Sequence, residues 1–226
     1  MVEIALCIAI IGFALVAIIG VLPAAMRIQQ DNRADTLIDQ DGNYFMEAIR
    51  HGAQGLDELT NYVYDINLIQ VTAADPTPKP KQVIPLFPPA RRIIGALSVP
   101  FGYSPDQNEY FVIRSEAKVR AISGAAVEKD PSSLISFDYL LTSEISPFGA
   151  FDPGTAFETA STNNLQQIQK DLTKSLYEVR LTFRWPFSAV TGNVGNNKKV
   201  FRALVSGSLM DSTNDFFFFQ PTTFKE

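Results

Sequence analysis

The sequence predicts an α+β protein in which a long, bent N-terminal helix, about residues 2–51, packs on an antiparallel sheet of about four strands. Three observations support this fold class. An apolar run passes directly into an amphipathic segment, and no proline occurs between positions 24 and 74. A proline-rich stretch, residues 72–89, then separates this helix from a C-terminal half in which apolar and polar residues alternate, as they do in half-buried strands.

The helix begins with an apolar run, Ile4–Met26, that contains no charged residue and no Asn, Gln, Ser or Thr. As a helix, about 23 residues span about 34 Å, which is enough to cross a hydrocarbon core. A secretory signal peptide has a basic segment before its apolar run, but here Glu3 stands in that place. A buried core helix is usually shorter and carries a polar stripe. The run therefore predicts a membrane-spanning helix, bent near Gly20 and Pro23, which both weaken helical structure.

Glu3 has two interpretations, because a carboxylate at the centre of a bilayer costs up to about 3.5 kcal/mol. It either lies at the level of the lipid headgroups or is neutralised by a cation, such as the terminal amine of a neighbouring subunit.

After Met26 the chain becomes polar but keeps the three- and four-residue spacing of an amphipathic helix. The segment ends at His51-Gly52, where glycine favours the left-handed cap of a helix C-terminus. We therefore expect three parts. They are an apolar half-helix over residues 1–26, an amphipathic half-helix over residues 27–55 that lies against the sheet, and a globular head over residues 56–226.

Within the head, the pattern predicts a short helix at Leu56–Val63, an irregular connection at residues 72–89 and a helical turn at Arg91–Leu97. Four segments have the composition of strands, and the first of them is either one strand or a bent pair. A Gly- and Asn-rich turn at Thr191–Lys198 predicts that the last two form a hairpin. The four segments are Tyr110–Ile122, Leu134–Leu141, Leu176–Trp185 and Val200–Leu209.

Composition excludes several classes of function. The net charge of −5 disfavours nucleic-acid binding through general electrostatics. With one cysteine, Cys7, and one histidine, His51, the chain has no intrachain disulfide and no His-rich metal site. No phosphate-binding loop or catalytic motif is present, so we expect no enzyme activity and no cofactor. Asp211 and Asp215 belong to an oxygen-rich cluster that suggests a turn or, alternatively, a calcium site, although it lacks the glycine and distal glutamate of an EF-hand.

Four consecutive phenylalanines, Phe216, Phe217, Phe218 and Phe219, form the most unusual segment of the head. Neighbouring side chains in a strand point to opposite faces, so one core surface cannot cover all four rings. Either the segment is buried on both sides by its own chain, or one pair contacts another subunit.

The start of the chain, Met1–Leu6 followed by Ala9–Gly12, resembles the mature N-terminus of type IV pilins and type II secretion pseudopilins. In that family a prepilin peptidase cuts after a glycine, and a glutamate stands fifth in the mature chain. Glu3 stands third here, so we expect two further residues before Met1. The Val21–Met26 ending and Arg184-Trp185-Pro186 also resemble pseudopilin-like proteins of Verrucomicrobia-type bacteria.

The resemblance implies the pilin fold and makes Met1, Glu3, Gly20 and Pro23 the residues of assembly. It implies a structural subunit that waits in the inner membrane of a diderm bacterium and then polymerises with its own copies into an extracellular filament. The prepilin peptidase and the pilus or secretion machinery would be its partners. Two alternatives remain open: a pseudopilin of a periplasmic pseudopilus, and a membrane-anchored binding protein that does not polymerise.

Overall fold

A computed structural model of the chain describes residues 2–52, 57–72, 75–82, 90–104, 110–122, 137–148, 174–188, 191–212 and 216–221. The first element is helix α1, Val2–Arg50, which is uninterrupted although Pro23 lies inside it. The chain divides into two compact units after Asp39. Helix α1 therefore contributes its last turns, residues 40–50, to the second unit, and that unit is called the head below.

In the described residues, the head contains a six-stranded antiparallel sheet with the strand order β2-β1-β3-β4-β5-β6. A 3-10 turn, Asp57–Asn61, precedes the first strand. β2 and β6 form the two edges of the sheet. The strands are β1 (Val63–Thr72), β2 (Lys79–Gln82), β3 (Tyr110–Arg120), β4 (Asp138–Pro147), β5 (Leu176–Phe187) and β6 (Val194–Ser206).

One face of the sheet is covered by the end of α1. Buried positions in residues 40–50 recur at three- and four-residue intervals, as expected for one face of a helix. The helix ends where predicted, because Gly52 adopts a φ of +57° and its amide donates to Ile49 O over 3.0 Å. The buried positions are Asp41, Gly42, Phe45, Ala48 and Ile49.

A second layer is built from helix α2, Ala90–Leu97, and a two-stranded ribbon of β7, Ser208–Ser212, and β8, Phe216–Gln220. The helix contacts both the ribbon and the main sheet. Ser115 and Ser143, on neighbouring strands, donate to the carbonyl oxygens of Ala96 and Leu97 over 2.7 and 2.6 Å. These two bonds satisfy carbonyl groups that the end of a helix leaves without partners.

The α+β class is confirmed, but the expected count of about four strands is wrong. Of the predicted short helix Leu56–Val63, the structure forms only the 3-10 turn, because β1 begins at Val63. The proline-rich connection includes the edge strand β2, in which Pro80 is tolerated because an edge strand needs only one row of hydrogen bonds. The predicted hairpin is confirmed, with Gly192 at a φ of +71° in its turn.

Candidate functional site

The apolar part of α1 is exposed on every side. An 18-residue window of the helix has a mean hydropathy of 3.0 and none of it is buried, so the helix is long and apolar enough to cross a membrane. Signal sequences near an N-terminus pass the same test. Phe13 is 79% exposed and Leu15, on the opposite side of the helix, is 53% exposed, so the apolar surface is not confined to one stripe. Such a surface requires an apolar environment outside the single chain.

The residues predicted to act in assembly lie along this helix. Glu3 is exposed in the first turn, where a negative charge interacts favourably with the helix dipole. A Cβ atom added to Gly20 would meet nothing within 4 Å, and Pro23 lies within the continuous helix. Met1 lies outside the described residues. Glu3 and Gly20 therefore lie exposed on the surface of α1, where another molecule can contact them.

A buried polar junction fastens the end of α1 to the sheet. Asp41 is fully buried, and its Oδ2 atom accepts hydrogen bonds from the backbone amide of Ile122 and from the hydroxyl of Tyr139, both at 2.9 Å. A buried carboxylate is costly unless donors surround it, and these two donors come from the residues that follow β3 and from β4. Asp41 thus connects the helix to two strands.

Aromatic rings surround this junction and extend it across the sheet. The ring of Tyr139 lies 5.2 Å from that of Phe183, which in turn lies 5.3 Å from the ring of Phe201. A Cβ atom at Gly42 would lie only 2.5 Å from the Phe201 ring, so the helix approaches the sheet closely at that point. Burial, followed by the nearby Asp41, raises the pKa of Tyr139 well above its ordinary value of 10.0.

All four phenylalanines of β8 are buried within the single chain, at 1–7% exposure. Phe216 and Phe218 contact the α2 side, where a Cβ atom at Gly95 would lie 2.8 Å from each side chain. On the opposite face of the strand, the ring of Phe217 lies 4.7 Å from Tyr103, and that of Phe219 lies 5.5 Å from Tyr177. The ribbon is therefore covered on both sides. Of the two alternatives for these phenylalanines, the single chain shows burial on both sides, which leaves little ring surface for a neighbouring subunit.

The calcium candidates are not brought together by any described contact. Asp211 pairs with Phe217 across the β7–β8 ribbon, and Asp215 lies outside the described residues. In the described parts of the chain, no three His, Cys, Asp or Glu side chains are grouped closely enough to hold a metal ion.

Sequence reasoning missed the junction residues Asp41, Gly42 and Tyr139. One signal was present, because Asp41 stands at the helical spacing of the apolar positions Phe45 and Ile49. An acidic residue in an apolar stripe indicates a buried, hydrogen-bonded carboxylate. Its partners could not be located in this way, since 98 positions separate Asp41 from Tyr139.

No family model, curated protein or solved structure matches this chain. Its function therefore has to follow from the geometry of the chain itself.

Proposed function

We propose that this protein is a structural subunit of a type IV pilus-like filament, in which copies polymerise through the first half of α1. The observation that carries the proposal is the apolar run Ile4–Met26, which is exposed on all sides within one uninterrupted helix. Lipid can cover such a helix before assembly, and the same half-helices of other copies can cover it afterwards. Because both environments are apolar, the transfer from one to the other does not expose this surface to water.

Glu3 favours a filament over a permanent anchor. A membrane anchor gains only a small helix-dipole interaction from a carboxylate at the start of its apolar run, and the charge is costly where it enters the hydrocarbon. In a stack of parallel helices, each subunit is displaced along the axis, so the Glu3 of one copy can meet the terminal amine of another. Pairing in an apolar environment is strong because few water molecules screen the charges. This pairing would set the register between subunits.

The head has a different task from the helix. Its six-stranded sheet and buried Asp41 junction give a folded body at the end of the apolar segment. We expect these heads to form the outer layer of the polymer, since charged side chains dominate the sheet face that α1 does not cover. The precursor would reside in the inner membrane, and a prepilin peptidase and an assembly machinery would act on it.

The test is recovery of filaments from cells that produce the full precursor together with its native assembly machinery. Sheared cell-surface and periplasmic fractions, prepared without detergent, are examined by electron microscopy and by mass spectrometry of the purified polymer. Long filaments with this chain as their main component are expected. Recovery of the chain solely as detergent-soluble monomers, from cells in which the machinery is present, would overturn the proposal in favour of a membrane-anchored protein.

A further inference from the structure

The sheet face opposite α1 carries an unbalanced group of positive charges on β5 and β6. The ring of Phe201 contacts the helix side, so its neighbours in sequence along β6 point to the opposite, outer face. Lys198 and Arg202 are exposed there, and so is Arg184 on β5. These three residues are called the basic strip. Val200 and Leu204, which are 39% and 53% exposed, alternate with the two cations of β6.

The rest of the outer face is largely neutralised by ion pairs. Lys118 binds Asp65 at 3.2 Å, and Arg180 binds Glu144 at 3.3 Å. The basic strip differs, because Arg184, Lys198 and Arg202 make no ion pair or hydrogen bond within the described residues.

The strand register also places like charges directly opposite each other. Lys198 pairs with Arg184, and Arg202 pairs with Arg180. Like charges at directly opposed positions destabilise a sheet. Because Arg180 is already bound to Glu144, the charge without a counter-ion among the described residues lies on Arg184, Lys198 and Arg202, and a negatively charged partner would stabilise it.

A partner with this charge exists on α1 itself. Asp31 and Asp35 are exposed, separated by one helical turn, and form no ion pair or hydrogen bond in the described part of the chain. These two residues are called the acidic stripe. Arg27 lies one turn before the stripe, and Arg33 projects from the other side of the helix.

We propose that the basic strip of one copy binds the acidic stripe of a neighbouring copy in the filament. This inference rests on the proposed function and adds the second contact that a polymer of heads needs. Because the two surfaces differ, the contact is head-to-tail and leaves one strip and one stripe open at the ends. Val200 and Leu204 supply apolar area between the cations. Since all the charged groups are exposed, the contact is weakened by salt.

Charge reversal in two chains tests the contact. Variant A carries Asp31→Lys and Asp35→Lys, and variant B carries Lys198→Glu and Arg202→Glu. Each variant alone juxtaposes like charges, so we expect a loss of sheared filaments of about tenfold or more. Produced together, A and B restore filaments that contain both chains, because each stripe then meets a strip of opposite charge. We expect a single chain that carries all four changes to polymerise as well, because its stripe and strip are again opposite in charge.

A cysteine pair provides a second measurement that does not depend on reversed charges or on their effect on membrane insertion. In a Cys7→Ser background, Asp35→Cys with Arg202→Cys should yield a ladder of disulfide-linked multimers from oxidised filaments. Asp35→Cys with Lys118→Cys is the control and should yield none, since Lys118 lies on β3 outside the basic strip.

The outcomes distinguish a contact between copies from a role at the sheet edge, within one chain or at the membrane. If variant B polymerises as the wild type does and the cysteine pair gives no ladder, the cations serve only to protect the sheet edge from pairing with another strand. Glu performs that task equally well. Monomers with an internal crosslink would place the contact within one chain. Loss of binding by variant B to vesicles rich in anionic lipid, with filaments intact, would assign the strip to the membrane surface. Absence of wild-type filaments would instead refute the proposed function.

Discussion

The Tyr139 hydroxyl donates a hydrogen bond to Asp41 Oδ2 over 2.9 Å. This bond joins β4 to the end of α1, although Asp41 lies 98 positions earlier in the chain. The same oxygen accepts the amide of Ile122 at the same distance. Both side chains are fully buried. The junction therefore holds the helix at one position on the sheet through polar groups that have no access to water.

Removing the carboxylate should strongly destabilise the head. Asp41→Ala leaves the buried Tyr139 hydroxyl and the half-buried Ile122 amide without this acceptor, and we expect a loss of about 3 kcal/mol in the free energy of unfolding. Tyr139→Phe, which deprives a buried acceptor of one donor, should cost about 1–3 kcal/mol. Urea unfolding of the full chain in detergent, followed by tyrosine and tryptophan fluorescence, measures both.

Tyr177→Phe is the matched control for this experiment. Among the described residues, the Tyr177 hydroxyl donates to the carbonyl of Lys174 alone, over 3.3 Å, and its side chain is half-buried. Its loss should cost about 1 kcal/mol or less. Equal losses from the two Tyr→Phe changes would contradict a special role for the Asp41 junction.

The raised pKa of Tyr139 predicts alkaline instability. In the unfolded chain tyrosine ionises near its ordinary value of 10.0, whereas burial and Asp41 keep it protonated to higher pH in the folded chain. Above about pH 10 the unfolded state therefore binds fewer protons, and the free energy of unfolding falls as pH rises. Tyr139→Phe should remove part of this slope. Unfolding measured between about pH 9 and pH 11 gives the difference, and an identical slope in both proteins would argue against the assignment.

Two glycines with positive φ should respond differently to the same substitution. Gly192→Ala, at a φ of +71° in open space, adds only the strain of a left-handed backbone and should cost about 1 kcal/mol. Gly52→Ala has a similar φ of +57°, but its Cβ would lie within van der Waals overlap of the Phe219 carbonyl oxygen. Backbone strain and overlap together should cost about 3 kcal/mol. Thermal unfolding of both variants ranks them, and the reverse order would disprove the close contact.

Glu3→Ala should leave the chain inserted in the membrane and reduce or abolish filaments. The reason is that the substitution removes the proposed partner of a neighbouring terminal amine while making the segment more apolar. Membrane fractionation and filament counts provide the two readouts. Glu47→Ala is the control, because Glu47 is an exposed acidic residue of the same helix whose ion pairs in the described part of the chain are with the nearby Arg50 and His51. If Glu3→Ala forms normal filaments, Glu3 is only a charge at the membrane interface and has no role in assembly.

The helix should lose regular hydrogen bonding between Ala14 and Pro23 once it is packed in a filament. In the single chain α1 is continuous, but Pro23 lacks an amide donor and Gly20 costs about 1 kcal/mol relative to Ala. Neighbouring helices can satisfy the released groups, so unwinding becomes favourable only in the assembly. An assembled filament structure, determined by electron cryo-microscopy, tests this. A regular helix through the whole stretch would rule it out.

Local signals accounted for the parts of the fold that the sequence predicts well. The end of α1 follows from Gly52, and the β5–β6 hairpin follows from alternation around a glycine turn. β1 was missed because Val63, Ile66 and Ile69 recur every three residues, as in a helix, whereas the strand is in fact buried on both faces. The burial of β8 was underestimated because no local sequence signal indicates that α2 forms a second layer against it. The Asp41 junction depends on partners distant in sequence, so only its buried carboxylate could have been anticipated.

The contact between Gly52 and Phe219 has a consequence for biosynthesis. Gly52 follows the end of α1, whereas Phe219 lies in β8, 167 positions later in the chain, so the ribosome makes the two sides of this contact far apart in time. The head can therefore complete its core only after β8 has been synthesised, by which time the apolar half of α1 has long been made. Under the proposed function, the first helix would hold the nascent chain at the membrane while the rest is still unfolded. Chaperones that recognise exposed aromatic segments would find Phe216–Phe219 accessible only in that interval.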